Sequence, residues 1–182
     1  MPQAAAHILI PLFLVSFWRD RYLAKNKRNL FPLHYVLIAG IAGIIPDLDI
    51  VAFWALAFFG FTLEQIHRTF AHTIFIPFIF VIVGLIFHRT KVSLCTIRKH
   101  TLHLNKVMYA LAFGTLAHLV LDALVSGMIT PIYPISSWAI GLDLFGYLPS
   151  QLQELAAPSL DAGILIIWII YLEVKHKISD FI

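Results

Sequence analysis

The sequence has few charged residues and long stretches with none. Charged side chains make up 13% of the 182 residues and hydrophobic ones 60%, and the mean hydropathy is +0.86. Because a soluble domain is only about one half apolar, this composition excludes an ordinary soluble globular protein and indicates an integral membrane protein. No polar stretch is long enough to fold as a second domain. We therefore expect a single membrane domain over residues 1–182.

Cysteine is nearly absent. The single Cys95 excludes an internal disulfide. Together with His100 and His103 it could contribute to a metal site, but the fourth ligand is missing. The surrounding Lys and Arg residues favour a solvated loop instead.

Lys and Arg are missing from residues 107–174. They cluster in 19–28, 89–106 and 175–177, and the remaining one is Arg68. This is the distribution that the positive-inside rule produces, so these clusters are expected in the cytoplasm. Anionic lipid at the cytoplasmic face explains them better than nucleic acid does, and no nucleic-acid partner is predicted.

Apolar segments alternate with the basic clusters. Segment 4–18 is preceded by no basic residue and followed by no small-residue cleavage site, so we expect a retained membrane helix rather than a signal peptide. Segment 50–61 is shorter than the roughly 20 residues that a span needs, and it predicts a re-entrant or interfacial helix. Further spans are predicted at 30–45, 70–87, 107–125 and 159–174. The fold class is an all-α polytopic bundle of about five transmembrane helices in the cell (inner) membrane, with the N-terminus extracytoplasmic and the C-terminus cytoplasmic.

Residues of metal-ligand type fall near the outer ends of these segments, at His7, Asp47, Asp49, His67, His72, His118 and Asp122. The last two are four residues apart on an apolar helix, so imidazole and carboxylate share one face. The pair could bind a metal, or it could form a hydrogen bond that tightens helix packing. Mixed imidazole and carboxylate ligands favour Zn²⁺ first and Mn²⁺ or Fe²⁺ next, and the lack of thiolates argues against a structural zinc site.

Two pairs in this set are ambiguous. Pro46 predicts a turn in which Asp47 and Asp49 could face one cavity, although either could instead cap the next helix. His67 and His72 are five residues apart and would point in different directions on an ideal helix. One of them is expected to bind the metal while the other orients it or acts as a base.

Arg68 is the only Lys or Arg on the predicted outer side. Its guanidinium suits a phosphate or a carboxylate ligand. An ion pair with Asp47, Asp49 or Glu64 explains it equally well. Candidate nucleophiles are Ser126, Ser136 and Ser137, but none has a signature local sequence, so polar loop positions are the default interpretation.

The order of these residues resembles that of a known family. The motifs are His7, Gly43-x-x-Pro46-Asp47-x-Asp49, His67-Arg68-x-x-x-His72-Thr73 and Gly114-x-x-x-His118-x-x-x-Asp122. They resemble the YdjM-type membrane-bound metal-dependent hydrolases, also described as LexA-binding, inner-membrane-associated hydrolases. The resemblance extends from His7 to about Trp138. The family's His-Arg-Gly-x-Thr-His-Ser pattern is changed at Thr69, Ala71 and Thr73 but keeps both histidines and the arginine.

A more distant resemblance is to zinc-dependent phospholipase C and P1 nuclease, all-α enzymes that cleave phosphate esters. It implies that metal is held by His7, Asp47 or Asp49, His67 or His72, His118 and Asp122. No histidine lies between Asp122 and His176, so one or two ions are expected rather than three.

The resemblances imply a phosphoesterase that acts on a lipid or lipid-linked phosphoester in the membrane. We expect Arg68, Asp49 and His72 to be catalytic, with the site on the extracytoplasmic side. Two other functions use the same residues: a metal or proton transporter, and a catalytically inactive regulatory protein.

Overall fold

The computed structural model describes residues 4–25, 31–63, 67, 71–90, 92–97 and 100–177, without the side chain of Ser126. The chain is mainly helical, as predicted. Its α-helices are α1 (Ala4–Lys25), α2 (Leu33–Ala42), α3 (Asp49–Leu56), α4 (Phe75–Ile86), α5 (Leu104–Leu121) and α6 (Ser150–His176). Short 3₁₀ turns occupy Pro46–Leu48, Ala57–Phe59 and Leu144–Tyr147, and one π-helical turn occupies Asp122–Ser126.

A β-hairpin precedes α5, where the sequence predicted only a solvated loop. Strand β1 (Ser93–Ile97) pairs antiparallel with β2 (His100–His103). The β-branched residues of β1 favour a strand, but five residues between basic neighbours give a weak pattern. Cys95 is exposed and lies opposite Leu102. In the described part of the chain it belongs to no group that could hold a metal.

Helix α5 is the centre of the bundle and packs against α1, α2 and α4, while α1 also packs against α2 and α6. Gly114 lets α5 approach α2 closely. A β-carbon there would collide with the carbonyl oxygen of Ala39 and come within 2.6 Å of Cβ of Ala42. The apolar core next to this contact is formed by Val15, Val36 and Ala39.

One end of the bundle, which we call the basic end, holds the basic clusters. There Nε of Arg19 donates to the Phe31 carbonyl at 2.9 Å, and the Tyr171 hydroxyl donates to Asp20 at 2.6 Å. The backbone N–H of His103 donates to the Tyr35 hydroxyl at 3.0 Å. The opposite ends of the same helices meet around His118 (next section). Helices α1, α2, α5 and α6 therefore each run from one end of the bundle to the other.

Among the residues that the structure describes, two helical segments are long and apolar enough to cross a membrane, Leu104–Val125 and Ser150–His176. Helix α2 with the segment Pro46–Phe59 is bent by 48° and forms either a third, broken span or a re-entrant loop. The re-entrant or interfacial helix predicted at 50–61 falls within this bent pair. Helix α4 has only 12 residues, and α1 ends in a charged turn. The count of five spans stays a prediction.

Candidate metal centre

The seven predicted metal ligands come together at one end of the bundle. We call this group the His–Asp cluster: His7 of α1, Asp47 and Asp49 at the α2–α3 turn, His67 and His72 before α4, and His118 and Asp122 at the end of α5. Five of the seven are buried, His72 and His118 fully so, and Asp47 and His67 are half-buried. Arg68, predicted to bind phosphate, lies outside the described residues, as does Glu64.

Close backbone contacts position the cluster. Gly43 follows α2 and lies directly against the carbonyl of His7, where a β-carbon would collide. The backbone N–H of Ala6 donates to Oδ1 of Asp161 on α6 at 2.8 Å, which anchors the start of α1. Asp161 belongs to none of the sequence motifs. An acidic residue within an apolar helix nevertheless indicates that it has a polar partner.

One hydrogen bond determines which nitrogen of His118 faces the cluster. Its Nδ1 lies 2.7 Å from the Gly43 carbonyl oxygen. A carbonyl can only accept, so Nδ1 carries the proton and Nε2 of the neutral ring presents a lone pair. A backbone carbonyl in this position is the usual partner that orients a metal-binding histidine.

The nitrogen Nε2 of His118 faces other ligand atoms at close range. It lies 3.2 Å from Nε2 of His72 and 3.4 Å from Oδ2 of Asp122. Nε2 of His72 is also 3.4 Å from the same oxygen. Oδ1 of Asp47 lies 3.5 Å from His72 and 3.6 Å from His118. Imidazole nitrogens and carboxylates gathered in this way could hold a metal ion.

These spacings are comparable to those between the ligand atoms of a metal ion. Zinc binds nitrogen and oxygen at about 2.0–2.2 Å, so its tetrahedral ligands lie about 3.3–3.6 Å from one another. The five distances among Asp47, His72, His118 and Asp122 run from 3.2 to 3.6 Å. The second oxygen of Asp122, Oδ1, lies 3.3 Å from Nε2 of His7. The residues present therefore fit a metal ion, and Asp122 could reach a second one beside His7.

The structure gives Asp47 and Asp49 different environments. Asp49 forms a 2.9 Å hydrogen bond with Nδ1 of His67, which orients that ring, and its other oxygen lies 3.3 Å from Nδ1 of His72. Neither aspartate is the N-cap of α3, which is Leu48. Capping, one of the alternatives left open by the sequence, is thus not their role.

His67 and His72 also differ. Nε2 of His72 faces the centre of the cluster, whereas Nε2 of His67 is buried and makes no hydrogen bond with any described residue. The rings are 5.0 Å apart and nearly perpendicular. No continuous helix joins them in the described residues, because α4 begins only at Phe75. Ser136, one of the serines predicted as default loop residues, accepts a local hydrogen bond from the backbone N–H of Trp138.

A family model described as YdjM inner membrane protein matches residues 1–176. The match includes every residue of the His–Asp cluster and extends the resemblance, predicted up to about Trp138, to nearly the whole chain. No curated protein and no solved structure matches the chain.

Proposed function

The chain belongs to the YdjM inner membrane protein family, and we propose that it is a membrane-embedded, metal-dependent hydrolase acting on a lipid or lipid-linked phosphoester. The observation that carries this proposal is the 3.2–3.6 Å spacing of nitrogen and oxygen atoms around Nε2 of His72 and His118. Groups of three such residues in the His–Asp cluster are close enough to hold one metal ion.

The residues of the cluster divide into three roles. Asp47, His72, His118 and Asp122 hold the metal, and His7 with the second oxygen of Asp122 offers a second position. Asp49 orients His67 and His72. A bound Zn²⁺ ion would supply a water molecule of lowered pKa and polarise a phosphoryl oxygen. This division differs from the expected one, in which Asp49 and His72 were catalytic.

The remaining groups serve the substrate. Nε2 of His67 is the nitrogen available to accept or return a proton. Arg68 follows directly in sequence, and we retain it as the group that stabilises phosphoryl charge. Helix α3 exposes Val51 and Trp54 beside the cluster, so a substrate with acyl chains could approach from within the bilayer.

Hydrolysis is tested with the purified full chain in mixed micelles of phospholipid and detergent. We expect release of phosphorylated headgroup and diacylglycerol that stops when a chelator removes the metal and resumes when Zn²⁺ or Mn²⁺ is restored. Headgroup and lipid products are measured by mass spectrometry. Turnover that is unchanged in metal-free protein would contradict the proposal.

Transport of a metal or proton would need a polar route to the basic end. The core residues Val15, Val36 and Ala39, with Leu12 and Ala110 packed against them, lie instead between the cluster and the basic end. This apolar layer supports the hydrolase over the transporter. Metal uptake into proteoliposomes without lipid turnover would favour transport, and stoichiometric metal with neither activity would favour the regulatory protein.

We also propose the five-span topology, with the cluster on the extracytoplasmic side. The clustering of Lys and Arg at the basic end supports it. A reporter fused at residue 95, in β1, is expected in the cytoplasm, and one fused at residue 140 is expected outside. Paired phosphatase and fluorescent-protein fusions measure both positions, and the reverse pattern would overturn the placement of the site.

A further inference from the structure

A second candidate site lies at the basic end, far along the helices from the His–Asp cluster. It is a cavity of about 470 Å³ between α1, α2 and α5. This volume is within the range of about 300–1,000 Å³ that is usual for small-molecule sites. Most of its walls are aromatic or aliphatic, with Trp18, Tyr35 and Phe113 among them. None of its lining residues belongs to the cluster, so the proposed hydrolysis does not account for it.

One cation stands at the rim of this cavity. Lys106, in the first turn of α5, is exposed, lines the cavity, and holds its ammonium 6.0 Å from the centre of the Tyr35 ring. The ion pairs of the basic end join Arg19 and His176 to Asp20. Lys106 has no carboxylate partner among the described residues, and its charge is therefore available to an anion.

We propose that the cavity holds an acyl chain of an anionic phospholipid whose headgroup phosphate contacts Lys106. An acyl chain gains little by leaving the bilayer for an equally apolar wall, so the charge at the rim must supply the selectivity. Trp18 is exposed and combines an apolar ring with a polar N–H, as side chains at the membrane–water interface do. This places the rim at headgroup level.

The charge of the surrounding surface favours a lipid over a second copy of this chain. The described part of the basic end carries Arg19, Lys25, Lys106 and Lys175 among its cations. Two such surfaces would repel each other, whereas anionic headgroups are attracted to them. The site does not depend on the metal centre. Metal-free protein is expected to bind the lipid equally well, so failure of one proposal leaves the other standing.

Native mass spectrometry of the full chain in detergent tests the site, with phosphatidylglycerol or phosphatidylcholine titrated in. We expect one phosphatidylglycerol to bind in preference to phosphatidylcholine. Lys106→Gln should weaken its binding about five-fold, since one lysine near anionic lipid contributes about 1 kcal/mol. Lys106→Arg should retain it. The matched control is Lys175→Gln, which removes an exposed charge near the same end but away from the cavity.

Three outcomes would overturn the site. Equal retention of phosphatidylglycerol and phosphatidylcholine would show that the cavity does not select between headgroups. An equal loss of lipid binding in Lys106→Gln and Lys175→Gln would show that the general surface charge, not Lys106 at the cavity, attracts the lipid. A chain dimer that is lost in Lys106→Gln, with no bound lipid in the wild type, would show that a second copy covers the cavity.

Discussion

Replacing His118 by alanine is expected to abolish both the bound metal and lipid hydrolysis. The ring supplies one of the proposed ligand atoms, Nε2, which lies 3.2 Å from Nε2 of His72, while its Nδ1 is held by the Gly43 carbonyl. Loss of an outer partner alone costs about 10–100-fold in metal affinity, so loss of the ligand itself should cost more than about 100-fold. Metal content by mass spectrometry and turnover in micelles measure the two effects.

The control for this variant is His34→Ala, which removes a partly buried histidine from α2 at the basic end. It should keep full metal content. His118→Gln preserves more side-chain volume and separates loss of the ligand from loss of packing. The metal affinity of Asp49→Asn should lie between those of His34→Ala and His118→Ala. We expect it to be about 10–100-fold weaker than that of the wild type, because Asp49 orients histidine rings rather than binding the ion. Full metal occupancy in both His118 variants would sink the proposed centre.

The sequence alone predicts the helical membrane class and the membership of the cluster, because both depend on strong local signals. An apolar run without charge is unambiguous, and the polar residues within it must find partners. Helix lengths are harder to predict. The span predicted at 30–45 and the re-entrant or interfacial helix predicted at 50–61 form a pair bent by 48° at Pro46, and α4 is only 12 residues long. The hairpin before α5 is missed because five residues carry too little periodicity to distinguish a strand from a loop.

Roles within the cluster depend on geometry that sequence spacing does not contain. Asp47 and Asp49 are chemically identical, and only the fold places the second against the outer nitrogens of two rings. His67 and His72 likewise differ only in which nitrogen faces the centre. Gly43 and Gly114 belong to the family motifs, but only the packing shows what they do. Gly43 lets the end of α2 approach α1, and Gly114 lets α5 approach α2.

Gly114→Ala is expected to damage the fold and the metal centre together. The new β-carbon meets the Ala39 carbonyl and lies 2.6 Å from Cβ of Ala42. Because backbone atoms cannot move aside as a flexible side chain would, α5 must shift away from α2. Overpacking of this kind typically costs about 1–3 kcal/mol. The shift also lengthens the 2.7 Å contact from His118 to Gly43 and moves His118 away from Asp47. We expect a lower thermal midpoint. We also expect metal binding to weaken about ten-fold, which is the lower end of the 10–100-fold loss caused by removing a residue that orients a metal ligand.

Gly163→Ala is the matched control, because it makes the same substitution within a helix where a β-carbon would meet nothing within 4 Å. In α6 the change should stabilise the protein by up to about 1 kcal/mol, the helix preference of alanine over glycine. Thermal unfolding in detergent and metal titration are measured for both variants. If Gly114→Ala matched Gly163→Ala in both measurements, the close contact between α5 and α2 would not be what holds His118 in place. If only the midpoint fell, the contact would stabilise the bundle without positioning the ligand.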